Sequence, residues 1–103
     1  MKRAAFAPMA DLASKSAEVA NLLRELGNKS RLMILCTLID CKEASVAELA
    51  GQASLSQSAL SQHLARLRSQ NLVTVRRDGT TIYYRLADPK IARLMKSLKS
   101  IYC

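Results

Sequence analysis

The feature that most constrains this chain is a change of hydrophobic period at Asn71. Before that residue the apolar side chains recur at helical spacing. After it, Val73 and Val75 alternate with polar residues, and Ile82, Tyr84 and Leu86 alternate on the far side of Asp78-Gly79. A period near 3.6 buries one stripe of a helix, whereas a period of 2 buries one face of a strand. An Asp-Gly pair between two alternating runs predicts a β-hairpin. Asp88-Pro89 then stops the strand and starts a last helix with Ile91, Leu94, Leu98 and Ile101 on one face.

The helices before the hairpin announce themselves by their caps. From Asp11, Leu12, Val19, Leu22, Leu23 and Leu26 mark a first helix, with Gly27 as its expected C′ stop. Asn28 caps a second helix with Leu32, Leu35, Cys36 and Ile39 as its stripe. Ser45 with Glu48 forms a capping box that opens a short third helix carrying Val46, Leu49 and Ala50. Residues 51–54 are expected to turn the chain, and Ser56 caps a fourth helix with Leu60, Leu64 and Leu67 inward. Residues 1–10 show no period and read as a flexible arm, which leaves 11–103 as one domain. A chain of 103 residues that is 50% apolar has no room for a second. The expected fold is mainly α with a β-hairpin wing, a winged helix-turn-helix in the order α-α-α-α-β-β-α.

That order suits DNA, because a helix fits the major groove while a hairpin beside it reaches the backbone or minor groove. With about 100° per residue, Leu64 and Leu67 fall within roughly 40° of Leu60 on the fourth helix. Ser58, Ser61, Gln62, Ala65 and Ser69 occupy the opposite arc, with Gln57 and Arg66 at its margins. This outer face is small, polar and free of acids, and Gln62 can pair with adenine N6/N7. The wing adds Arg76, Arg77 and Thr80 around its tip. The chain carries +8 net charge, and from Arg66 to Lys99 nine basic residues face only Asp78 and Asp88. A basic surface confined to one part of a small fold is an electrostatic footprint of nucleic-acid binding; its plain alternative is a solvated helix face. His63 lies beside the apolar stripe and reads as a packed residue, not a metal ligand. Of Tyr83 and Tyr84, one is expected inward and the other outward.

Other classes fare worse. No Gly-rich phosphate loop, carboxylate pair or nucleophile–base arrangement suggests an enzyme, and no catalytic residue or cofactor is expected. A winged-helix module that binds protein without DNA is the remaining competitor. No apolar stretch approaches the roughly 20 residues of a membrane span. Lys2-Arg3 precede a short apolar run that Pro8 and Asp11 end before a signal sequence forms, so a cytoplasmic location with reduced thiols is expected. Two apolar-striped terminal helices exceed what a small monomer can cover, which predicts a homodimer anchored by Leu12, Val19, Leu94, Leu98 and Ile101.

Three segments carry a resemblance: Leu26-Gly27-Asn28-Lys29-Ser30-Arg31-Leu32-Met33-Ile34-Leu35, Ser45-Val46-Ala47-Glu48-Leu49, and Leu55-Ser56-Gln57-Ser58-Ala59-Leu60-Ser61-Gln62-His63-Leu64-Ala65-Arg66-Leu67-Arg68. Together they are similar to the ArsR/SmtB family of bacterial winged-helix regulators over roughly residues 12–103. The resemblance implies a homodimer on an inverted-repeat operator and repression relieved by a chemical inducer. Members that sense metals use a Cys-x-Cys motif near the helix before the recognition helix, or Asp/His ligands on the last helix. Here Ser45-Val46-Ala47-Glu48-Leu49 stands at the first place, and neither His nor acid follows Asp88. No metal site is expected, although three thiols leave a soft metal open. Cys36 and Cys103 resemble the thiol pair of the BigR/HlyU-type branch, which implies an oxidant or reactive sulfur species as inducer. On its own, Cys36 on an apolar stripe reads equally as a small buried hydrophobe. Cys41 would point about 140° away from Cys36 on a continued helix and has no role in the resemblance. A metal-responsive repressor, or an activator that displaces another DNA-binding protein, is the alternative function.

Overall fold

The computed structural model describes residues 11–103, so the proposed arm at residues 1–10 lies outside the described residues. A helical turn at residues 11–14 leads across Lys15 into α1 (Ser16–Leu26). There follow α2 (Lys29–Cys41), β1 (Ala44–Ser45), α3 (Val46–Ala53), α4 (Gln57–Ser69), β2 (Val73–Asp78), β3 (Thr81–Leu86) and α5 (Pro89–Tyr102). This is a winged helix-turn-helix.

The helix starts follow local chemistry. The side chains of Asn28, Ser45 and Ser56 accept from the backbone N–H groups of Arg31, Glu48 and Ala59, and Asp88 accepts from Lys90 ahead of α5. Each cap satisfies one of the donors that the first helical turn leaves without a partner. The Ser45/Glu48 capping box is complete, with the Glu48 carboxylate accepting from the Ser45 N–H at 2.9 Å.

Helix ends and buried faces depart from the sequence expectation in four places. Gly27 ends α1 with φ −73°, so no left-handed C′ glycine is used there. Gly51 is helical, and the break comes at Ser54, which holds φ 55°. The buried centre of α2 is Ile34, Leu35 and Leu38, while Leu32, Cys36 and Ile39 pack at its margin. On α5 the buried residues are Ile91 and Met95; Leu94 and Leu98 are half-buried and Ile101 is 71% exposed. In both helices the packed face is set by where α3, α4 and β3 lie, which a single helix's period does not contain.

β2 and β3 pair antiparallel with Asp78 opposite Thr81, so Gly79-Thr80 forms the two-residue loop. Gly79 has φ +64°, the left-handed region that glycine adopts without steric cost. The hairpin also gains a third strand: β1 pairs with β3 through Ala44–Tyr84 and Ser45–Tyr83. Ahead of it, Lys42 turns the chain with φ 66°, its neighbours joined by a Glu43 N–H to Cys41 carbonyl bond of 2.7 Å. This tight turn carries Glu43 away from α2 toward the sheet. The core joins α2, α3, α4, the base of the hairpin and α5.

Candidate nucleic-acid interface

The reading head is pinned from behind. Leu60, Leu64 and Leu67 of α4 are each 0% exposed and pack with Leu49 of α3 and the α2 residues Ile34, Leu35 and Leu38. Ser54 in its left-handed conformation turns the chain between α3 and α4, and Leu55 packs at the edge of the core. Gln57, Ser58, Ser61, Gln62 and Ala65 are consequently exposed along the outer side of α4, and His63 is half-buried beside them. The helix is thus held by leucines on one side and offers short polar groups on the other.

The wing divides its cations into two sets. Arg76 forms a bidentate pair with Glu43, Nη2 to Oε1 at 2.6 Å and Nε to Oε2 at 3.2 Å. Its guanidinium also lies 4.8 Å from the centre of the Tyr83 ring. The Arg76 hydrogen bonds hold the Glu43 carboxyl below the usual carboxylate range. Arg77, Thr80 and Arg85 are exposed, and neither Arg77 nor Arg85 forms an ion pair among the described residues. Tyr84 packs on the core, while Tyr83 turns to Arg76.

Arg66, expected at the margin of the reading face, is tied to a residue the sequence reasoning passed over. Its Nε donates to Oε1 of Glu25 at 2.8 Å, and that glutamate on α1 is only 3% exposed. Arg31 of α2 donates to the backbone carbonyls of Glu25 and Arg24 at 2.9 and 3.2 Å, closing the end of α1. Its Nε also lies 3.4 Å from the Glu25 carboxylate. The signal was available: Glu25 stands between Leu22 and Leu26 at i+3 and i+4, an acid inside an apolar stripe.

Residues 28–75 match the model of the bacterial regulatory protein, arsR family. The transcriptional activator HlyU of Vibrio cholerae is 42% identical over 90% of this chain and 85% of its own length. The biofilm growth-associated repressor of Xylella fastidiosa is 43% identical over 90% of this chain and 81% of its own. The chain belongs to the ArsR family. The crystal structure of the repressor BigR from Xylella fastidiosa superposes with a TM-score of 0.85 at 42% identity, covering 92% of this chain and 96% of that one. This ArsR-family chain therefore sits in the branch of HlyU and BigR, and it is a transcriptional regulator.

In this ArsR-family fold the two other groups of candidate residues lie on the flank of the reading head. Cys36 is half-buried on α2, and Cys103 is exposed at the end of α5; both are free thiols. The helices carrying them are joined by Lys99, whose Nζ lies 2.9 and 3.1 Å from the Asp40 carboxylate oxygens. Asp40 is one turn beyond Cys36, and Lys99 is one turn before Cys103, whose N–H donates to the Lys99 carbonyl at 2.8 Å. Burial pushes the Cys36 thiol above its ordinary value, Lys99 pulls it back, and Asp40 and Cys103 push it up again. Cys41 is exposed and donates its S–H to the Thr37 carbonyl at 3.1 Å. Of the dimer candidates, Val19, Leu94 and Leu98 are half-buried, while Leu12 and Ile101 are exposed together with Leu23 and Tyr102. Among the described residues, no helix is long and apolar enough to cross a membrane.

Proposed function

We propose that this regulator is a homodimeric, sequence-specific repressor that reads an inverted-repeat operator with α4 and steadies itself on phosphates with the wing. The observation that carries the reading is the outer side of α4, exposed, polar and free of acids, held rigidly by three wholly buried leucines. Gln57, Ser58, Ser61 and Gln62 read base edges; Arg66, Arg76, Arg77 and Thr80 supply backbone contacts. Leu12, Val19, Leu94, Leu98 and Ile101 meet the second copy, which covers the apolar surface that α1 and α5 leave exposed.

Operator binding is controlled by Cys36 and Cys103. An oxidant takes two electrons and two protons from the thiol pair to form a disulfide, or a persulfide donor inserts further sulfur between them. Either product ties α5, a dimerisation helix, to α2, the helix behind the reading head. The Lys99–Asp40 contact supports this by holding the two helix ends together. Cα atoms more than about 7 Å apart rule out an unstrained disulfide, and a longer sulfur bridge relaxes that limit.

The test is duplex binding by reduced protein, followed by treatment with a persulfide donor, peroxide or Zn²⁺. Cys36→Ser and Cys103→Ser are expected to bind DNA and to keep binding after persulfide, whereas Cys41→Ser responds like the parent. A crosslink between residues 36 and 103 within one chain should appear by mass spectrometry. If both single variants respond like the parent, the thiols are packing and terminal residues; loss of binding with Zn²⁺ alone would favour a metal-responsive repressor. The similar proteins carry both "activator" and "repressor" in their names. A reporter fused to the bound promoter decides the sign, and falling expression supports repression.

A further inference from the structure

Glu25 is an expensive residue in its position. An ionised carboxylate at 3% exposure loses most of its hydration, and an apolar residue between Leu22 and Leu26 would complete the stripe of α1 at no such cost. The ends of α1 and α2 do not depend on it, because Arg31 closes that junction through the backbone carbonyls of Glu25 and Arg24. Among the described residues, the side chain that hydrogen-bonds to the Glu25 carboxylate is Arg66 alone, from 41 positions further along the chain. Arg66 uses only Nε for this bond; its side chain is 49% exposed, and its Nη groups make no hydrogen bond among the described residues. It stands one helical turn after Gln62, on the α1 side of the reading face.

We propose that Glu25 is a positioning residue for DNA recognition: it holds Arg66 by Nε so that the two Nη groups point to a DNA phosphate at the rim of the groove. This rests on α4 being the reading helix. A guanidinium is suited to such a bridge because its donors are fixed in one plane, so orienting Nε orients the others. A lysine in the same place is a point charge and transmits no orientation. The bridge runs from α1, through a buried carboxylate, to the nucleic acid. It sets the α4 register on the duplex from the α1 side.

The experiment is a double-mutant cycle on DNA affinity. Its probes are the tightest duplex the parent protein selects from a randomised pool and one random-sequence duplex. Glu25→Gln is expected to weaken the selected duplex about fivefold or more while leaving the random duplex unweakened. Arg66→Ala should weaken it as well and lower the salt slope by about 0.9, the signature of one lost phosphate contact. In the Arg66→Ala background Glu25→Gln should have no further effect, because its action passes through Arg66. Arg66→Lys should behave like Arg66→Ala on the selected duplex while keeping the salt slope. Additive losses in the double variant overturn the proposal, as does an Arg66→Ala protein with unchanged affinity and slope. Where Glu25→Gln fails to fold by circular dichroism, the surface substitution Arg66→Lys decides alone: parental affinity for the selected duplex overturns the proposal. A parent that selects no duplex refutes the DNA-binding reading itself, which separates that failure from failure of the positioning role.

Discussion

The reading head and the flank formed by α1 and α5 are built on opposite plans. Behind α4 the packing is closed: Leu49, Leu60, Leu64 and Leu67 are at most 1% exposed, and the outer face needs no covering because it is polar. On the flank the packing is open. Leu23 is 56% and Ile101 71% exposed, and the contacts that cross it include ion pairs such as Lys99–Asp40. A closed core has one arrangement, while a half-covered face joined by solvated pairs can be completed or rearranged by whatever docks on it or bonds across it. The molecule thus separates a rigid reader from an adjustable support, and the two free thiols expected to act together are both on the support.

The largest effect that would break this contrast lies in the reader. Leu64→Ala is expected to destabilise the fold by about 2–5 kcal/mol in chemical denaturation, because the site has no solvent-facing side into which to relax. A cost near that of an exposed leucine would mean the head is not closed. Ile101→Asp should do the reverse, leaving secondary structure intact by circular dichroism but giving a monomer by light scattering and most of the duplex affinity lost. A stable dimer in that variant would show that the open flank is not the interface.

Smaller effects sharpen the division within the DNA surface. Gln62→Ala should reduce discrimination between the selected and random duplexes by about 1–3 kcal/mol, the range for one good base contact. Arg77→Ala should weaken both alike and reduce the salt slope by about 0.9 in titrations over salt concentration. The smallest change concerns Cys36. Its thiol is already pushed up by burial, so less thiolate is present at a given pH below its midpoint, and alkylation should accelerate as pH rises. Lys99 favours the thiolate; Lys99→Ala raises the thiol further and should slow iodoacetamide labelling of Cys36 at neutral pH, read by mass spectrometry. Faster labelling would mean that exposure, not charge, controls this thiol.

What the amino-acid sequence determined by itself is local. The caps at Asn28, Ser45, Ser56 and Asp88, the inward leucines of α4 and the Gly79 turn each depend on residues within a few positions of one another. Such short-range hydrogen bonds and helical spacing can be read directly, and the winged order of elements followed from them. The length of α3 was misjudged at Gly51 because a glycine tolerated inside a helix looks like one that ends it. Two-residue β1 is too short to display any period. Only the tertiary structure decided that Arg66 faces Glu25, that Arg76 faces Glu43 and that Lys99 faces Asp40, pairs separated by 41, 33 and 59 positions. A charged side chain carries no mark of its partner in its own neighbourhood. Its role is fixed by which surface the packed leucines happen to bring within about 3 Å, and that choice exists only once the core has closed.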